Sequence, residues 1–138
     1  MASGSKSCAD ESPRVVLVED SMVNQLLIHA MVEASNLPLE MAASGEEARQ
    51  QVATEPYDIM LIDVSMPGMD GLQITRLLRA EPAGPNAATR VIALTAYAMD
   101  GDRETCMAAG MDDYLTKPID REELMRKLAH WADQGPRA

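Results

Sequence analysis

Residues 58–71 read DIMLIDVSMPGMDG. An aliphatic run suited to a buried strand ends on a carboxylate at Asp63, and a turn rich in Pro and Gly follows at once. Acids at strand ends are often merely solvated or capping residues, so what this one does depends on which other residues share that end of the fold. Outward from this stretch, short β-branched or aliphatic runs alternate with segments of helical period. In order they are RVVLV (14–18), 22–34, LEMAA (39–43), 45–54, YDIMLI (57–62), 71–80, VIALTA (91–96), 102–109, DYLT (113–116) and 121–132. Strict alternation predicts parallel strands joined by right-handed helical crossovers, hence an α/β sheet covered on both faces.

The helices carry their own signals. Val23, Leu26, Leu27, Ala30, Met31 and Ala34 space out as an apolar stripe for the first helix, with Ser21 placed as its cap. Ser44 and Glu47, and Asp120 and Glu123, stand at capping-box spacing, and Ile119 and Leu124 at staple positions around the last cap. Leu124, Leu128 and Trp131 are predicted to face the sheet. EPAGPNAAT (81–89) reads as a longer surface loop.

Composition sets bounds. With 138 residues and 46% hydrophobic content, one domain with its own core is expected. Residues 1–13 read as a disordered lead-in or cloning remnant, 14–132 as the folded domain and 133–138 as a short tail. The net charge of −10 disfavours direct binding to nucleic acid or an anionic membrane. No apolar run approaches the roughly 18 residues of a membrane span, and the start lacks a signal-peptide pattern, so a cytoplasmic protein is expected. Cys8 and Cys106 form no CxxC or metal-ligand spacing and read as inert thiols. Met66, Met69, Met99 and Met111 lack accompanying His or Cys and read as loop and core residues. His29 and His130 read as ordinary helix residues.

The strand ends carry the chemistry. RVVLV runs into Glu19 and Asp20, YDIMLI into Asp63, VIAL into Thr95, and DYLT into Lys117. In a doubly wound sheet ordered 2-1-3-4-5, ligands bind at the carboxyl ends of the first and third strands, where the order reverses. Glu19, Asp20 and Asp63 should converge there, and three like charges so close call for a cation. Oxygen donors without His or Cys suit a hard ion, and Mg²⁺ takes one or two carboxylates plus water and phosphate oxygens. Lys117 and Thr95 would hold the remaining oxygens of a transferred phosphoryl group. With no Ser–His or Cys–His pairing, the plausible nucleophile is a carboxylate, which forms a labile acyl phosphate.

VLVED (16–20), DIMLIDVSMPGMDG (58–71), ALTAYA (93–98) and DDYLTKP (112–118), in that order, resemble the motifs of response-regulator receiver domains of two-component signalling. The match covers about residues 14–131. It implies the flavodoxin-like (βα)5 fold, with Asp63 as phosphoacceptor and Glu19 and Asp20 as metal-binding acids. Mg²⁺ would be the cofactor, with Mn²⁺ able to replace it, and the backbone carbonyl of Ser65 a further metal ligand. The same resemblance makes Thr95 the switch hydroxyl, Tyr114 the switch aromatic and Lys117 the phosphoryl-contacting lysine. It also implies a cis peptide before Pro118. Tyr114 takes the aromatic role ahead of Tyr97 because it lies three residues before Lys117; Tyr97 and Ser65 occupy positions that tune phosphoryl lifetime.

The implied partner is a histidine kinase or histidine phosphotransfer domain, with room for a weak homodimer. Activity would be limited to the domain's own aspartyl phosphorylation and dephosphorylation, switching a surface formed by the fourth helix, fifth strand and fifth helix. VEDSMVNQLL is similar to receivers fused to hybrid sensor histidine kinases, which makes such a kinase the expected source and a stand-alone regulator the alternative. Two other classes compete. A dehalogenase-type Mg²⁺ phosphohydrolase also uses a strand-end aspartate, but it places an acid two residues later, where this chain has Ser65. A non-phosphorylated pseudo-receiver would keep the fold as an interaction module, yet the complete set of acids, hydroxyl and lysine argues against it. A nucleotide-binding flavodoxin-like protein would need a Gly-rich loop where EDSMVNQ stands.

Overall fold

The computed structural model describes residues 14–33, 39–64, 71–80, 89–95 and 100–134, the side chains of 100–103 excepted. Five strands alternate with five helices: β1 (Val15–Val18), α1 (Met22–Glu33), β2 (Leu39–Ala42), α2 (Gly45–Thr54), β3 (Ile59–Asp63), α3 (Gly71–Ala80), β4 (Arg90–Thr95), α4 (Asp100–Ala108), β5 (Asp113–Thr116) and α5 (Arg121–Gln134). All strands pair in parallel in the order β2-β1-β3-β4-β5. The sheet is the predicted doubly wound one. Its central strands are apolar at nearly every position because both faces are covered. Val16, Val18, Met60, Ile62, Val91 and Ala93 point into one core with residues of α2, α3 and α4. Their neighbours Val15, Leu17, Ile59, Leu61, Ile92 and Leu94 point into the other, against α1 and α5. Each fully buried Leu or Ile contributes about 1.5–3 kcal/mol.

The caps stand where the spacing put them. Ser44 Oγ accepts from the Glu47 amide at 3.1 Å and Asp120 Oδ2 from the Glu123 amide at 2.9 Å. Glu47 returns its carboxylate to the Ala43 amide rather than to the cap residue itself. Ile119, Leu124 and Leu128 join the α5 core, and Trp131 packs half-buried at its edge.

The stripe predicted for α1 is a correction. Met22, Val23, Leu26 and Leu27 are exposed at 72%, 66%, 63% and 53%, whereas Ile28 and Val32 are buried against the sheet. The helix is apolar on two sides, so periodicity offered two faces. The buried face begins with polar residues because its first turn lies beside the strand ends: the Asn24 amide donates to Ser21 Oγ, and Gln25 Nε2 donates to the Glu19 carbonyl at 2.6 Å. Ala34 and most of the 81–89 loop, Cys8, Ser65, Met66, Met69, Tyr97 and Met99 lie outside the described residues.

Candidate functional site

The carboxyl ends of β1, β3, β4 and β5 lie at one edge of the sheet, and the polar residues that follow them meet there. Oxygens of Glu19, Asp20 and Asp63 all lie within 4.8 Å of one another. Glu19 is completely buried and Asp63 nearly so, while Asp20 is exposed at the mouth. Lys117 reaches across from the end of β5, with Nζ donating to Asp63 Oδ2 at 2.9 Å and lying 3.3 Å from Glu19 Oε1. Thr95 ends β4 as a buried residue, with its carbonyl accepting from the Lys117 amide at 2.7 Å. The peptide between Lys117 and Pro118 is cis. Five of the seven sequence-predicted site residues, Glu19, Asp20, Asp63, Thr95 and Lys117, thus share one edge. Tyr114 stands on β5 one strand over from Ala93, half-buried against the α4-side core. Ser65 lies outside the described residues.

Electrostatics point the same way. Burial, reinforced by the charge of Asp63, raises the Glu19 carboxyl above its usual range, even though the Ser21 amide donates to its Oε2 at 3.2 Å and acts to lower it. For Lys117, burial acts to lower the ammonium, yet the hydrogen bond and charge of Asp63, with Glu19 behind them, outweigh it and raise the value. Lys117 pairs with two of the three clustered carboxylates, Asp63 and Glu19. Glu19 Oε1 is buried and receives no hydrogen bond, only the ion-pair approach of Lys117. An orphaned carboxylate oxygen aimed at two further acids fits a hard divalent cation, since such ions take oxygen donors and dislike none of the geometry shown. The residues present therefore fit Mg²⁺.

Two contributors were not singled out in the sequence. Gln25 ties the start of α1 to the Glu19 carbonyl; its polar side chain inside an apolar helix was the available signal. Gly71 opens α3 so close to β3 that an added Cβ would stand 2.7 Å from the Asp63 carbonyl oxygen and 3.2 Å from Val64 Cα. Both atoms belong to the backbone and cannot turn aside. Gly71→Ala is expected to cost about 1–3 kcal/mol as an overpacked contact and to slow acceptance of phosphate at Asp63. Urea unfolding, with a phosphorylation time course, checks both; wild-type behaviour in both would show that the contact is slack.

Residues 15–129 match the family profile described as the response regulator receiver domain. The chain is 36% identical over 137 residues to the sensor histidine kinase GacS of Pseudomonas protegens, an alignment covering 95% of this chain and 15% of that protein. It is also similar to the crystallised receiver domain of a Pseudomonas aeruginosa PAO1 sensor histidine kinase, with TM-score 0.79 and 41% identity, covering 88% of this chain and 98% of that one. That domain carries a magnesium ion coordinated in its active-site cleft. A receiver domain of a Saccharomyces cerevisiae response regulator, crystallised with a histidine phosphotransfer signalling protein, shares the fold at TM-score 0.83 and 23% identity, covering 89% and 90% of the two chains.

Proposed function

The chain belongs to the response regulator receiver domain family, and on that footing we propose that Asp63 is the residue that accepts a phosphoryl group from a phosphohistidine. The observation that carries the proposal is the buried Asp63 carboxylate at the end of β3, 2.9 Å from Lys117 and clustered with Glu19 and Asp20. A carboxylate oxygen of Asp63 attacks phosphorus as the phosphorus–nitrogen bond to the donor imidazole, protonated on its other ring nitrogen, breaks, giving an acyl phosphate and a neutral imidazole. Lys117 offsets the negative charge gathered on the phosphoryl oxygens, and the Thr95 hydroxyl donates to one of them. Glu19, Asp20, Asp63 and the Ser65 carbonyl would hold Mg²⁺, or Mn²⁺ with its similar donor preference, and the bound ion supplies positive charge where phosphate oxygens enter. Thr95 drawn towards the phosphoryl group leaves space for the Tyr114 ring, which biases the surface of α4, β5 and α5. Incubation with acetyl phosphate and Mg²⁺ should add one phosphoryl group, about 80 Da by intact mass. No mass gain under conditions where the fold is intact would favour the pseudo-receiver alternative.

The chain spans 15% of the GacS relative's length. We infer a receiver within a hybrid histidine kinase, spanning about residues 14–132 and working on the cytoplasmic side. Among the described residues no helix is long and apolar enough to cross a membrane. The exposed apolar face of α1 supports a helical phosphodonor as partner, because Leu27 also lines a groove with Met31, Lys117, Pro118 and Ile119, and so joins the face to the phosphoryl site. A donor helix laid on α1 would cover that face while presenting its histidine to Asp63. Leu26→Gln with Leu27→Gln is expected to slow transfer from a phosphorylated histidine phosphotransfer domain by about tenfold or more, with labelling by acetyl phosphate unchanged. Equal loss with both donors would place the defect in the site rather than in docking.

A further inference from the structure

Tyr114, read above as the switch aromatic, is also reached by a second set of groups centred on α5. Lys127 on α5 places Nζ 5.6 Å from the ring centroid, within cation–π range. A lysine so placed would ordinarily swing freely, but this one is anchored: Nζ donates to Asp113 Oδ1 at 2.7 Å. Asp113 is itself fixed. Its Oδ1 accepts from the Tyr114 amide at 2.8 Å, and its Oδ2 accepts from Trp131 Nε1 at 2.9 Å. Trp131 in turn lies beneath the Arg90 guanidinium, 4.8 Å from its ring centroid, with the His130 ring edge-on at 4.7 Å. Lys127 and Asp113 are each only about one-fifth exposed. The ammonium is thus held over the aromatic face by a rigid carboxylate, and none of these residues belongs to the phosphoryl site.

We propose that Lys127 is a positioning residue of the switch: anchored by Asp113, its ammonium holds the Tyr114 ring in the orientation of this structure, so a turn of the ring towards Thr95 must give up that contact. The inference rests on the reading of Thr95 and Tyr114 as the switch pair. A contact that is given up when the ring turns biases the equilibrium against the turned state, and a ligand that favours the turned state then binds more weakly by the same factor. Removing the ammonium should therefore strengthen binding of a phosphoryl mimic at Asp63. A cation–π contact at a partly exposed site corresponds to about a two- to fivefold change.

The test is Mg²⁺-dependent binding of beryllofluoride to the whole chain, followed by ¹⁹F NMR and by Trp131 emission. Lys127→Met should tighten the apparent affinity about two- to fivefold, and Lys127→Arg, which keeps both the charge over the ring and the bond to Asp113, should restore the wild-type value. Asp113→Asn, which frees the lysine, should tighten binding in the same direction. In a Tyr114→Ala background Lys127→Met should change nothing. Trp131 emission should respond to beryllofluoride with Mg²⁺ but not to Mg²⁺ alone, since the indole shares Asp113 with Lys127. Unchanged or weaker binding by Lys127→Met, or an equal gain when Tyr114 is absent, overturns the inference while leaving phosphoryl acceptance at Asp63 intact. No beryllofluoride binding by the wild-type chain would bring down the phosphoacceptor reading itself, and this inference with it.

Discussion

Asp63→Asn is expected to reduce phosphorylation by acetyl phosphate and Mg²⁺ to background, while the chain remains folded. An amide lacks the charge and the nucleophilic oxygen that acyl phosphate formation needs. The other acids of the cluster do not replace it: Glu19 is fully buried with its carboxyl raised by burial and by the charge of Asp63, and Asp20 stands exposed at the mouth. The fold should tolerate the change, because Asn keeps the shape of Asp and Lys117 retains Glu19 at 3.3 Å as a charge partner. Intact mass gives the result directly. The gain of about 80 Da seen for the wild type should be absent from the variant, and circular dichroism should be unaltered. Full labelling of Asp63→Asn would move the acceptor to another carboxylate.

The second large effect is on the metal. Replacing Glu19 with Gln and Asp20 with Asn removes two of the three charges whose oxygens lie within 4.8 Å of one another. Each such charge is worth several kcal/mol to a divalent ion at close range, so Mg²⁺ affinity should fall by at least about 100-fold. The same change should stabilise the metal-free fold at neutral pH. The sign follows from Glu19, whose folded-state carboxyl is raised from 4.5, by burial first and then by Asp63. A raised acid contributes stability below its unfolded value and loses it as pH climbs through the folded one. The ionised Glu19 is therefore a burden at pH 7, and Gln relieves it. The gain in urea midpoint should shrink as pH falls from the raised folded value towards 4.5, the ordinary glutamate value, and be lost below it. Calorimetric Mg²⁺ titration and urea unfolding at both pH values check the pair of claims. Unchanged Mg²⁺ affinity would put the ion elsewhere.

The alternation of runs ending at Val18, Ile62, Leu94 and Thr116 was enough to read a parallel sheet with polar residues gathered at one edge, because parallel strands buried on both faces leave polar residues only at their ends. Glu19, Asp63, Thr95 and Lys117 were legible for that reason. The order 2-1-3-4-5 came from the doubly wound flavodoxin-like pattern that the receiver resemblance implies. The facing of α1 was not. Ile28 and Val32 make a shorter stripe than Val23, Leu26 and Leu27, and the true face starts with Asn24 and Gln25, polar because they serve the site rather than the core. Hydrophobic period cannot distinguish a face that packs from a face left for a partner. Gly71 read as the first residue of the third helical segment, and its closeness to the Asp63 carbonyl is a matter of how α3 meets β3. Lys127 and Trp131 stand four residues apart on α5 and DYLT reads as a strand, both visible in sequence, but that Asp113 bridges the two is not.

Chemical trapping locates the phosphoryl group on the chain residue by residue. The wild-type chain, phosphorylated with acetyl phosphate and Mg²⁺, would be reduced with borohydride, which converts an acyl phosphate to the alcohol, and then digested and sequenced by tandem mass spectrometry. Homoserine should appear at position 63, dependent on acetyl phosphate and lost when Mg²⁺ is chelated beforehand. Homoserine at position 20 or 58, with aspartate intact at 63, would contradict Asp63 as the acceptor.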